Sequence, residues 1–304
     1  MLRLSLPLTF SFLLVSCDLN RASSHPKSVL DSREIRGIVT TVDSNNSQVT
    51  VKILGCGKDL QNEWGKYDDL IKSFSVQSGD LNFLTVGRTF RAKSSESKQN
   101  VPETLFLSDI WPDDRSVRIR VNNVNRLLRR DTLSLGEGVI RSVGDTLPPF
   151  ALYDQDAQVL TTDYFDGSVT VLNFIFTRCS IAEMCPASTL RMKKLQHLAK
   201  QTKVPHVKFL SITLDPEFDS PGVLKTYAQG YDLDESNFRL GTSTKSTIDD
   251  LTRQFGIFRK NKDDLPLDHT MRTLIINSKR QIIYQFPGSG WAVEDFLARL
   301  PEGV

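Results

Sequence analysis

Hydrophobic positions change their period near the middle of the chain. In the first half they alternate with polar ones in short runs. Gly37-Ile38-Val39-Thr40-Thr41-Val42 and Gln48-Val49-Thr50-Val51-Lys52-Ile53 flank the turn-rich Asp43-Ser44-Asn45-Asn46-Ser47, which predicts a β-hairpin. Further strands are predicted over 88–93, 104–110 and 116–121, and a short helix over 67–74. Residues 34–125 therefore read as a small β-rich, barrel-like domain. Residues 126–147 carry Arg126, Arg129 and Arg130 and read as a solvated connector.

The pattern differs from there on. Val169-Thr170-Val171-Leu172-Asn173-Phe174-Ile175-Phe176 is a continuous apolar run, as expected of a strand buried on both faces. Residues 189–203 have helical spacing, with Leu190, Leu195 and Leu198 on the expected inner face. A second buried strand follows over 208–214, then a helix over 221–231 with Pro221 in its first turn. A short strand over 238–240 and a helix over 247–255 come next. Runs 273–277 and 281–286 around Ser278-Lys279-Arg280 predict a hairpin, and 293–300 a closing helix. Strand, helix, strand, then hairpin and helix is the order of a thioredoxin-like domain, expected over 148–304. The predicted fold class is thus an α/β thioredoxin-like C-terminal domain preceded by a small barrel-like domain.

The beginning of the chain reads as an export signal. Arg3 precedes an apolar stretch from Leu4 to Val15, too short for a stable membrane span. It ends at Leu14-Val15-Ser16-Cys17, which resembles the lipobox of bacterial lipoproteins. That resemblance implies residues 1–17 as signal, acylation of Cys17 and a body held outside the cytoplasm at the membrane, periplasm-facing. An ordinary signal peptide with an incidental cysteine is the alternative. The Ser-rich 18–33 is expected to be a tether. A net charge of +2 argues against a dedicated nucleic-acid binder. Without Cys17 three cysteines remain, an odd number that suits chemistry better than a disulfide scaffold.

Cys179 falls in the loop after the first buried strand, and Cys185 precedes Pro186, a residue favoured in the first turn of a helix. Partial positive charge at a helix N-terminus eases thiol ionisation, and Arg178 acts in the same direction. His269 sits just before the late strand, next to Asp268. Two thiolates and one imidazole suit copper, with Cu(I) favouring the sulfurs. The same two thiols could instead form a redox-active disulfide, or be buried structural residues. Met184 offers a thioether but is expected to pack. His197 and His206 are expected to be bland, and Asp219 or Ser220 is expected to cap the helix that follows.

Phe174-Ile175-Phe176-Thr177-Arg178-Cys179, Cys185-Pro186, Asp215-Pro216 with Asp219-Ser220-Pro221, and Asp268-His269-Thr270 resemble the Sco/SenC family, as does Val143-Gly144-Asp145-Thr146-Leu147-Pro148-Pro149-Phe150. The resemblance covers about 143–300. It implies a membrane-anchored copper protein that helps to assemble cytochrome c oxidase, with Cys179, Cys185 and His269 in the ligand positions. Its implied partners are a copper-accepting respiratory oxidase subunit or a thiol partner. One departure stands out. Five residues separate the cysteines, where the family usually has three. An exported thiol–disulfide oxidoreductase using Cys179 and Cys185 is the competing reading. The first domain is similar to small periplasmic copper-binding barrels of the CusF type, which bind through Met and His. No Met or His lies between His25 and Met184, so a structural or docking role is expected, with Cys56 its one soft atom.

Overall fold

The computed structural model describes residues 30–67, 69–96, 105–258 and 269–303. The signal, Cys17, His25, most of the tether and Asp268 lie outside them.

Five strands close a barrel in the order β1-β2-β3-β5-β4. They are β1 (Glu34–Asp43), β2 (Gln48–Cys56), β3 (Ile71–Ser75), β4 (Thr89–Glu96) and β5 (Leu105–Pro112), and helix α1 (Lys58–Trp64) follows β2. Alternation puts Ile35, Val39, Val49, Val51, Phe74, Phe90 and Leu107 inside, each at most 1% exposed. The expected helix over 67–74 is instead β3. A run this short cannot be typed by period alone.

The larger correction concerns α2 (Arg115–Leu135). Its first turns replace the strand expected over 116–121, and it continues through most of the segment read as a connector. Asp114 caps it by accepting from the Val117 N–H at 2.9 Å. Only Val121, Leu128 and Thr132 are fully buried, too sparse a stripe to stand out among six arginines.

The second body is a seven-stranded sheet in the order β12-β11-β8-β9-β10-β6-β7. Strands β8 (Val169–Ile175), β9 (Val207–Thr213) and β10 (Phe238–Thr242) run parallel at its centre. The hairpin β11 (Arg272–Ile276) and β12 (Ile282–Pro287) continues it antiparallel on one side. The hairpin β6 (Ala151–Asp154) and β7 (Val159–Thr161), which the sequence did not announce, does so on the other. Helices α3 (Cys185–Gln201), α4 (Pro221–Gly230), α5 (Lys245–Gln254) and α6 (Val293–Arg299) complete the thioredoxin-like arrangement. Every residue of β8 is buried. In α3 the inner face is Met192, Leu195 and Ala199, whereas Leu190, expected inside, is 56% exposed.

The two bodies meet closely. Ala157, in the β6–β7 turn, packs into the barrel core. Trp111 meets Tyr153 edge-on at 6.2 Å. Gly79 lies directly against Gly222 in the first turn of α4, and a side chain on either would overlap the other body. Asp80, beside them, is 3% exposed.

Candidate metal centre

Sheet register brings His269 to the start of the cysteine loop. β11 pairs antiparallel with β8, Thr273 opposite Asn173. Extending that register backward along β11 and forward along β8 sets His269 beside the end of β8, where the cysteine loop begins. His269 packs edge-on against Phe176 with centroids 5.4 Å apart. Its Nδ1 lies 2.9 Å from the Thr270 carbonyl oxygen. A carbonyl only accepts, so Nδ1 donates and Nε2 is left to face the site. Nε2 lies 3.8 Å from the Cys185 Sγ.

The cysteine loop is held from below by two carboxylates. Asp219 is fully buried. It accepts from the Thr177 hydroxyl at 2.5 Å, the Thr177 N–H at 3.2 Å and the Thr213 hydroxyl at 2.5 Å. Burial pushes its carboxyl up to about 6, and those three donors hold it from rising further. Asp215 takes two hydrogen bonds from the Arg178 guanidinium, at 2.6 and 3.0 Å, and that guanidinium lies over the Phe218 ring at 4.1 Å. Asp219 therefore does not cap α4 as expected, and Ser220 occupies the cap position without a side-chain bond.

Both cysteines are free thiols, and their settings are opposite. Cys185 opens α3 and is fully buried. Its hydrogen bond to Cys179, reinforced by burial, drives its pKa upward. Cys179 is half-buried in the loop. The hydrogen bond from the Cys185 thiol lowers its pKa to about 6. The more acidic thiol is thus Cys179 in the loop and not Cys185 at the helix end, because Cys185 donates its hydrogen bond to Cys179 and is also the more deeply buried. The charge of Arg178 is already engaged by Asp215. Beneath the site the Asn173 amide donates to Ser188 Oγ at 3.0 Å and accepts from Ser211 Oγ at 2.6 Å, a buried network that fixes α3 against the strands.

Cys179, Cys185 and His269 share one end of the sheet, but among the described residues no group of three or more His, Cys, Asp or Glu is gathered closely enough to hold a metal. The Cys185–His269 pair does fit one. A sulfur at about 2.3 Å and a nitrogen at about 2.0 Å from a shared ion would stand roughly 3.7 Å apart at a trigonal angle. Met184 packs against the core. His197 is exposed and pairs with Gln201 at 2.8 Å, and His206 is exposed at the opposite end of β9. Cys56 is buried in the barrel, where burial raises its thiol. The sequence reading missed Thr177, Thr213 and Phe218 as supports. Their only signal was closeness in sequence to Cys179, Asp215 and Asp219.

The SCO1/SenC family model matches residues 140–302, just over half of the chain. The chain belongs to the SCO1/SenC family. It is similar to an SCO2-like protein of Rickettsia prowazekii, 28% identical over 144 residues that make up 45% of this chain and 67% of the relative. A solved SCO1/SenC family lipoprotein from Bacillus anthracis is 27% identical, over 54% of this chain and 99% of that one, with a TM-score of 0.49. The structure of Arabidopsis thaliana ScoI with copper bound is 19% identical, over 53% of this chain and 98% of that one, with a TM-score of 0.46. The barrel lies outside the residues matched to the family. No helix among the described residues is long and apolar enough to cross a membrane.

Proposed function

We propose that this SCO1/SenC protein carries copper as cargo on Cys179, Cys185 and His269 and delivers it to a respiratory oxidase subunit. The observation that carries the reading is His269 Nε2 at 3.8 Å from Cys185 Sγ, with Nδ1 engaged by the Thr270 carbonyl. Such an outer partner fixes the tautomer and the ring of a metal-binding histidine. Copper supplies the affinity for soft donors, and two thiolates with one imidazole match it. Cys179, the more acidic thiol, presents its thiolate at neutral pH. Cys185 gives up its proton on binding, so affinity rises with pH. Acylation at Cys17 would hold the protein on the periplasmic side of the membrane.

The split between the thiols favours a second reading, that of a thiol–disulfide reductant. The Cys179 thiolate attacks one sulfur of a partner disulfide and expels the other as a thiolate. Cys185, after losing its proton, attacks Cys179 Sγ and releases the second partner sulfur. The partner is reduced by two electrons, and Cys179 and Cys185 are left as a disulfide that no longer binds copper.

An anaerobic copper titration of the reduced chain from Asp18 onward separates the two. One tightly held copper, weakened in Cys179→Ser, Cys185→Ser and His269→Ala, is the result expected of the carrier. No tight copper, together with a Cys179–Cys185 disulfide that forms and is reduced reversibly, would transfer the assignment to the reductant.

A further inference from the structure

The solvent face of α2 is built unlike the other helix surfaces. Arg115, Arg120, Arg126 and Arg130 are all exposed, and none forms an ion pair with a carboxylate among the described residues. The other two arginines of the helix are engaged, Arg118 with Asp113 and Arg129 with Asp250. Between the unpaired four stand Ile119, Leu127 and Leu133, respectively 49%, 50% and 59% exposed. At 100° per residue all seven fall within an arc of about 140°, opposite the buried Val121, Leu128 and Thr132. No acidic side chain lies in that arc. The one carboxylate of the helix, Asp131, lies outside it and pairs with Arg141 at 2.6 Å.

Unpaired arginines interspersed with exposed aliphatic side chains supply together the two terms that bind a helix at an anionic bilayer surface, attraction to the phosphates and burial of apolar area at the headgroup boundary. We infer that α2 docks this protein on anionic phospholipid, guanidinium groups at the phosphates and Ile119, Leu127 and Leu133 at the boundary with the acyl chains. The charge complementarity commits the face to phospholipid, and the three apolar side chains distinguish it from a surface that merely attracts counter-ions. A chemically separate anchor at Cys17 is not required, because the contacts belong to the folded chain. Docked in this way, the body would lie flat against the bilayer.

The test is co-sedimentation of the unacylated chain from Asp18 onward, which holds every described element. The vesicles are phosphatidylcholine alone or phosphatidylglycerol mixed with phosphatidylcholine. Binding is expected only to the mixed vesicles, and it should weaken as salt rises. Each arginine near an anionic surface strengthens binding roughly fivefold. Arg126→Ala with Arg130→Ala should therefore weaken partitioning by about 30-fold while leaving circular dichroism unchanged. Leu127→Gln with Leu133→Gln should weaken binding while leaving its salt dependence in place. Equal binding to both vesicles, binding to neither, or undiminished binding by the double arginine variant would overturn the inference. None of these outcomes depends on copper or on Cys17.

Discussion

Two buried carboxylates sit in different regions of the molecule, Asp219 under the cysteine loop and Asp80 at the seam between barrel and sheet. Burial drives both upward, Asp219 to about 6 and Asp80, with the charge of Asp109 adding to burial, to about 7. The difference lies in their partners. Asp219 receives three hydrogen bonds from Thr177 and Thr213, whereas Asp80 Oδ1 is buried without a hydrogen-bond partner. A buried acid alone is therefore a poor marker of function. What distinguishes Asp219 is that it ties Thr177, in the loop carrying Cys179, to Thr213 at the end of β9.

The largest effect expected from this contrast is at Asp80. An unfolded aspartate ionises near 3.8, and the folded one near 7. The folded state holds the proton more tightly, so the contribution of this group to stability is greatest below about 3.8 and is lost as pH rises through 7. At about 1.4 kcal/mol per unit, the loss reaches roughly 4 kcal/mol. Asp80→Asn should thus be more stable than the native chain in urea at pH 8 and no more stable at pH 4. A variant that is weaker at pH 8 would show that the carboxylate has a role at the seam. Asp219→Ala should act on the site instead. With Thr177 released, copper affinity should fall roughly 10- to 100-fold, as when other outer supports of metal ligands are removed. Asp80→Ala should leave that affinity unchanged, and equal losses in the two variants would erase the contrast.

A smaller effect concerns Cys179. Because its pKa is lowered to about 6, its alkylation rate should stay near its plateau from pH 8 to pH 7 and fall to half at about pH 6. Cys185 should react only when the chain unfolds. Mass spectrometry of iodoacetamide-treated protein reads both. The smallest change is expected from Arg178→Ala. Its pair with Asp215 is partly solvated, and its loss should destabilise by no more than about 1 kcal/mol in a urea titration.

The thioredoxin-like half was largely legible in the sequence because strands buried on both faces leave unbroken apolar runs, as in 169–176. The junctions of those runs also located Cys179, Cys185 and His269. Helix α2 was not legible. Burying only Val121, Leu128 and Thr132, it owes its position to packing on α5 and β6 more than to an apolar period. The opposite chemistry of the two thiols was hidden for a related reason. Both stand near a helix start, and what separates them is which thiol donates to the other and how deep each lies in the fold. The role of Asp219 was obscured because Asp-Ser-Pro before a helix is also a capping pattern. Which partner a short polar side chain takes depends on what the sheet brings above it.

The meeting of Gly79 with Gly222 bears on how such a molecule could be assembled in evolution. Domains joined by side chains can be shuffled, because a mismatched surface is repaired one residue at a time. Here the Gly222 carbonyl fills the place of a Gly79 side chain and Asp80 fills that of a Gly222 side chain, so a first side-chain carbon at either position would press the two bodies apart. A barrel of this form therefore fits best against a partner helix whose second residue is glycine. The two positions are thus expected to change together in any chain that carries both parts.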